Sequence, residues 1–186
     1  TSSIESFICK SSWDLSDFFA LKAIKLISEN ALSASKGNSK AIENMLYAQY
    51  CTGIAFSNGG AAFATAASLS VEAAVGISFS KSIIPIFKES MKFNAASTGQ
   101  KYKAIAVNMG AKVSSSASPE SFRKTAVTSV EKFFKELSAA KKVEEVKISK
   151  EDVLFIQENI LKSKYTELNP KTVTKKKIAD VLKLIF

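Results

Sequence analysis

Apolar residues recur along this chain at helical spacing, and almost nowhere with the alternation of a half-buried strand. Residues 14–33 open on an acidic first turn and place Phe18, Leu21, Ala23, Ile24, Ile27 and Leu32 on one broad face. Gly37-Asn38 interrupts. Ser39 then starts a second helix to about residue 56, with Leu46, Tyr47, Tyr50 and Ile54 inward. Asn58-Gly59-Gly60 is the next break, followed by a helix of small residues over 61–72 and another break at Gly76. Residues 82–93 read as a helix that tolerates Pro85 in its first turn, and 100–109 as one stopped by Gly110. Ser118-Pro119-Glu120 is a strong helix start, with Phe122, Ala126, Val130, Phe133, Phe134 and Leu137 buried on the way to about Lys141. Ser149-Lys150-Glu151-Asp152 starts the next helix, Asn169-Pro170 marks a turn, and Thr174 caps a last one. The pattern predicts a single all-α domain over residues 1–186, a multi-helix bundle of eight or nine helices.

Composition supports that picture: 46% of the 186 residues are apolar, with only 7 Gly and 3 Pro, so a sizeable core is affordable and disorder is not expected. The chain contains no histidine. That excludes a Ser-His-Asp or Cys-His centre, an H-E-x-x-H zinc site and any chemistry needing a near-neutral imidazole. Cys9 and Cys51 are too few for a disulfide scaffold and read as two reduced core thiols. Phe79, Phe87, Phe93 and Tyr102 read as core, and Trp13 as a helix-entry packing residue. No charge occurs from Asn44 to Val71, but Asn58 and Gly59-Gly60 divide that stretch, so two buried helices are expected rather than a transmembrane span. The opening Thr1-Ser2-Ser3-Ile4-Glu5 is neither signal nor transit peptide, so either a leader has been removed or the chain is part of something longer.

The net charge of +9 is uneven. Residues 1–100 carry eight basic and seven acidic side chains, whereas 101–186 carry eighteen and ten. Within the basic half, Lys175, Lys176 and Lys177 open a helix where cations oppose the dipole, and they are candidate contacts for an acidic partner or an anionic lipid surface. No base-stacking pattern, Gly-rich phosphate loop or zinc finger is present, and nucleic-acid binding is not expected.

The stretch Ile42-Glu43-Asn44-Met45-Leu46-Tyr47-Ala48-Gln49, followed by Gly53-Ile54-Ala55-Phe56-Ser57-Asn58-Gly59-Gly60, is distinctive. It resembles R-E-N-M-L-Y-A-S-x-x-A-G-I-A-F-S-N-A-G of the C-terminal helical (dehydroquinate synthase-like) domain of the iron-containing alcohol dehydrogenases. Flanking segments agree in order. Thr1-Ser2-Ser3-Ile4-Glu5-Ser6 is similar to T-H-A-I-E-A, and Ala20 to Ile27 to A-L-E-A-I-R-L-I. Phe93-Asn94, Ala104 to Ala111, Ser149 to Val153 and Asn169-Pro170 also find counterparts. Ser68 and Gly76-Ile77-Ser78 lean toward the mitochondrial hydroxyacid-oxoacid transhydrogenase branch. The resemblance implies an N-terminal nucleotide-binding domain for NAD(P), absent from these residues, and a divalent metal held by an Asp and three His of the helical domain. At the positions of those histidines this chain has Ser2, Thr65 and Val75. The Asp precedes the chain. Hydroxyls are poor ligands beside imidazole, and Val75 is none.

On these grounds the expectation is a pseudoenzyme without cofactor, metal or catalytic residues. It would be a structural or accessory subunit binding other subunits of a larger assembly, for instance a mitochondrial respiratory-chain or ATP synthase type complex on the matrix side. The former metal cleft is expected to be filled by apolar side chains. The alternative is the helical half of a split, metal-independent NAD(P)-linked alcohol or hydroxyacid oxidoreductase.

Overall fold

The computed structural model describes residues 1–137 and 148–184. Among them there are ten α-helices and no strand. They are α1 (Ser2–Ile8), α2 (Asp14–Ala34), α3 (Ser39–Gly59), α4 (Phe63–Val75) and α5 (Phe79–Asn94), then α6 (Lys101–Asn108), α7 (Pro119–Glu136), α8 (Lys150–Lys162), α9 (Lys164–Glu167) and α10 (Lys175–Leu182).

Most starts are written locally. The Asn38 side chain accepts from the Ala41 amide and opens α3; Ser118 accepts from Ser121 and opens α7, with Pro119 at the first helical position. Ser149 and Asp152 satisfy each other's amides at the start of α8, and the Thr174 hydroxyl accepts from Lys177 at the start of α10. Trp13 flanks α2, its amide donating to the Ser16 hydroxyl and its ring nitrogen to the Asn58 carbonyl. The ring stays half exposed.

Three expectations need correcting. Helix α5 begins at Phe79, so Pro85 lies beyond the first turn. The short α1 and α9 were not foreseen. The largest difference concerns α2 and α3, which form a long hairpin joined by Ser35–Asn38. Large residues assigned inward face out: Phe18 is 63% exposed, Leu46 64% and Tyr50 66%, and Tyr47 and Leu32 are exposed as well. Small residues make the interface instead, with Ala20, Ala23 and Ala31 of α2 buried and Ala41, Ala48, Cys51, Ala55 and Gly59 of α3. Short side chains let the two backbones approach closely, and that close approach turns the bulky positions to the outer face. The expected run of α7 to Lys141 falls outside the described residues beyond Leu137.

The charge-free stretch is divided between α3 and α4. Among the described residues no helix is long and apolar enough to cross a membrane. The core collects around α4, whose residues 63–68 are all buried, with Phe7 of α1, Ile86 and Phe87 of α5, Tyr102 of α6 and Phe122 of α7. Phe87 and Tyr102 are buried as expected, while Phe79 and Phe93 are partly so. Both cysteines are buried free thiols.

Between α3 and α4, Gly60 has φ +95°, and a Cβ built there would lie 2.9 Å from a methyl of Leu168. Gly60→Ala therefore meets both backbone strain and a clash. We expect a loss of about 2 kcal/mol in unfolding free energy, read by urea denaturation.

Candidate functional site

The family-like positions lie on α1 and α4. Ser2 is half-buried at the start of α1, and Thr65 is buried in the first turn of α4. Glu5, one turn after Ser2, joins the two helices. It is completely buried. Its Oε1 accepts from the Ala64 amide at 2.7 Å, and its Oε2 accepts from the Thr65 amide at 2.9 Å and the Thr65 hydroxyl at 2.6 Å. No local residue caps α4, because Ala62 stands at the capping position. A carboxylate on a helix N-terminus is favourable by dipole and by hydrogen bonding alike. The Phe63 amide, next in the same turn, donates to Asn169 Oδ1 at 3.2 Å. Asn169 in turn exchanges amide hydrogen bonds of 2.8 and 2.9 Å with Asn94 at the end of α5.

The position expected to hold apolar filling is thus a polar join. Thr65 is tied to α1 through Glu5, which lies one turn after Ser2. Val75 is not, because it closes α4 ten residues beyond Thr65, about 15 Å along the helix axis. Beside the start of α1 lies a small cavity of about 50 Å³, lined by Thr1, Ser3, Ile4, Ile24 and Phe87 among others. It has room for a water molecule or two and not for a carbon chain.

Sequence reasoning missed Glu5 as a working residue. The available signal was an acid set among Ile4, Phe7 and Ile8, where burial forces it to find donors. It also missed Lys101, whose ammonium donates to the Phe7 carbonyl, Ser12 Oγ and the Asp17 carboxylate, and so ties α6 to the turn between α1 and α2. Of the three lysines opening α10, Lys175 and Lys176 are exposed. Lys177 is turned inward, its side chain 18% exposed, 3.9 Å from the Glu89 carboxylate and over the Phe93 ring.

Complete burial pushes the Glu5 carboxyl above its ordinary range, and the hydrogen bonds from Thr65 and Ala64 pull it part of the way back. The folded chain therefore binds this proton more tightly than the unfolded chain. The stability it contributes is full below the unfolded-state pKa and is lost as pH rises through the higher folded one. The difference in unfolding free energy between the native chain and Glu5→Gln should accordingly fall with rising pH across the mildly acidic range. One proton limits the slope to about 1.4 kcal/mol per pH unit. Urea titrations at several pH values check this, and a difference that grows with pH would contradict it.

The donor set does not fit a divalent metal. There is no imidazole in the chain, and among the described residues no three of Cys, Asp and Glu gather. Nor do these residues fit a dinucleotide's pyrophosphate, since the N-terminus of α4 is already filled by Glu5 and no strand precedes a glycine-rich turn among the described residues.

Comparison with known proteins gives the fold its context. The family model for the C-terminal part of the Fe-containing alcohol dehydrogenase family matches residues 1–186. Lactaldehyde reductase of Escherichia coli K12 is 29% identical over 181 residues, covering 97% of this chain and 47% of that protein. The NAD-dependent methanol dehydrogenase of Bacillus methanolicus is 27% identical over 182 residues, 97% of this chain and 48% of that protein. A crystal structure of 1,3-propanediol oxidoreductase superposes with a TM-score of 0.90 at 21% identity, covering all of this chain and 49% of that one. The chain spans about half the length of the curated relatives it matches.

These findings correct the expectation of a non-catalytic structural subunit. The relatives are dehydrogenases and reductases, and none supports a structural role, a respiratory assembly or a mitochondrial branch. By a match that runs from its first residue to its last, the chain belongs to the iron-containing alcohol dehydrogenase family, as its C-terminal helical domain.

Proposed function

We propose that residues 1–186 form the helical half of an NAD(P)-linked oxidoreductase acting on a small alcohol or its carbonyl partner, with the nucleotide-binding half supplied from outside these residues. The family match over the whole chain carries this reading, and the activities named for its relatives set the substrate class. The nicotinamide, when bound, supplies or accepts the hydride. The helical half contributes a rigid wall in which Glu5 fixes α1 against α4. Thr65 has its hydroxyl committed to Glu5, so the hydroxyl available to a carbonyl oxygen is that of the half-buried Ser2.

The test is reconstitution. Mixing the chain with nucleotide-binding halves of its relatives, and with whatever polypeptide co-purifies with the native protein, should yield NAD(P)H consumption above that of either component alone. Lactaldehyde, formaldehyde, 3-hydroxypropanal and small oxo-acids form the panel. No consumption with any pairing across that panel would overturn the reading.

A further inference from the structure

A first-row divalent ion needs imidazole, thiolate or carboxylate donors converging on one point. Among the described residues of the helices that carry Ser2 and Thr65, no such set of donors gathers. The groups that could have replaced imidazole are already engaged. Both oxygens of Glu5 accept from the first turn of α4, and Thr65 gives its own proton to one of them. The Cys9 thiol donates to the Gly59 carbonyl at 2.9 Å, so it keeps its proton. Cys51 is buried within α3. Val75 is hydrocarbon at the far end of α4.

We infer that the join between α1 and α4 at Glu5 and Thr65, one turn from Ser2, is metal-free. Glu5 bridges from α1 to the α4 N-terminus and holds the two helices together, and the described residues of this join offer no ligand set for a divalent metal. The inference rests on where Ser2 and Thr65 stand in the family, not on the oxidoreductase reading.

The experiment uses the full chain, expressed in medium supplemented with iron and zinc and purified without chelator. Metal content is measured by mass spectrometry, and melting is followed with EDTA and with added Fe(II), Zn(II), Mn(II) or Mg(II). We expect far less than one metal per chain and a melting temperature that neither EDTA nor added ions move, since an ion bound only by the folded chain would raise it. Glu5→Gln should lower that temperature, and Thr65→Val, which removes one hydrogen bond from the join, carries the same readout if Glu5→Gln does not fold. One metal per chain that survives desalting overturns the inference, whether it is lost in Ser2→Ala or retained there. An unchanged melting temperature in both join variants overturns the role given to Glu5. Absence of metal together with absence of NAD(P)H consumption would sink the oxidoreductase reading and leave this one standing. Bound metal together with activity would do the reverse.

Discussion

Glu5→Ala is expected to lower the unfolding free energy by about 3 kcal/mol, the largest effect of any single substitution in α1. Three donors lose their acceptor at once: the Ala64 amide, the Thr65 amide and the Thr65 hydroxyl. All lie in a fully buried turn that water cannot reach without opening the core. Each unsatisfied buried donor costs about 1–3 kcal/mol, and removing the buried carboxyl returns part of that, so the sum stays below simple addition. Urea denaturation measures it. A loss under about 1 kcal/mol would mean that the turn relaxes to other acceptors, and the join would then be incidental to the fold.

Asn169→Ala is expected to cost a similar amount, about 3 kcal/mol. Asn169 is completely buried in the turn after α9. Its Oδ1 accepts from Phe63 and Asn94, and its Nδ2 donates to Asn94 Oδ1 and to the Lys171 carbonyl at 2.6 Å. Truncation orphans groups on α4, on α5 and in its own turn. Asn94→Ala should cost less, because Asn169 would keep the Phe63 and Lys171 contacts. The double-mutant cycle between the two should show a coupling of about 1 kcal/mol, and additivity would contradict the reciprocal pair.

The parts of the fold legible in the sequence are those whose causes are local. Ser118-Pro119, Ser149 with Asp152, and Thr174 each set a helix start within four residues, and all three starts are where the sequence places them. The start of α4 was read two residues early because nothing near it is a cap; its partners are Glu5 and Asn169, 59 and 106 positions away. The outward turn of Leu46 and Tyr50 was missed for a different reason. Hydrophobic periodicity weighs large side chains, while the α2–α3 hairpin is set by how closely alanines allow two backbones to approach. At the candidate site the sequence singled out Thr65 but not the acid that holds it. That Glu5 holds the first turn of α4 did not show in the sequence, since the tie depends on the tertiary meeting of two helix ends.

Because the first turn of α4 is secured from near both ends of the chain, its order of formation is constrained. Helix α4 can gain its middle turns early from its own sequence, but its N-terminal donors must wait until loops of about sixty and about a hundred residues have closed. Contacts of such separation are made late in folding and broken early in unfolding. Glu5 and Asn169 should therefore act chiefly on the rate at which the native state is lost, with little influence on the rate at which it is reached. Lifetime of the native state, more than speed of assembly, is what these two side chains secure.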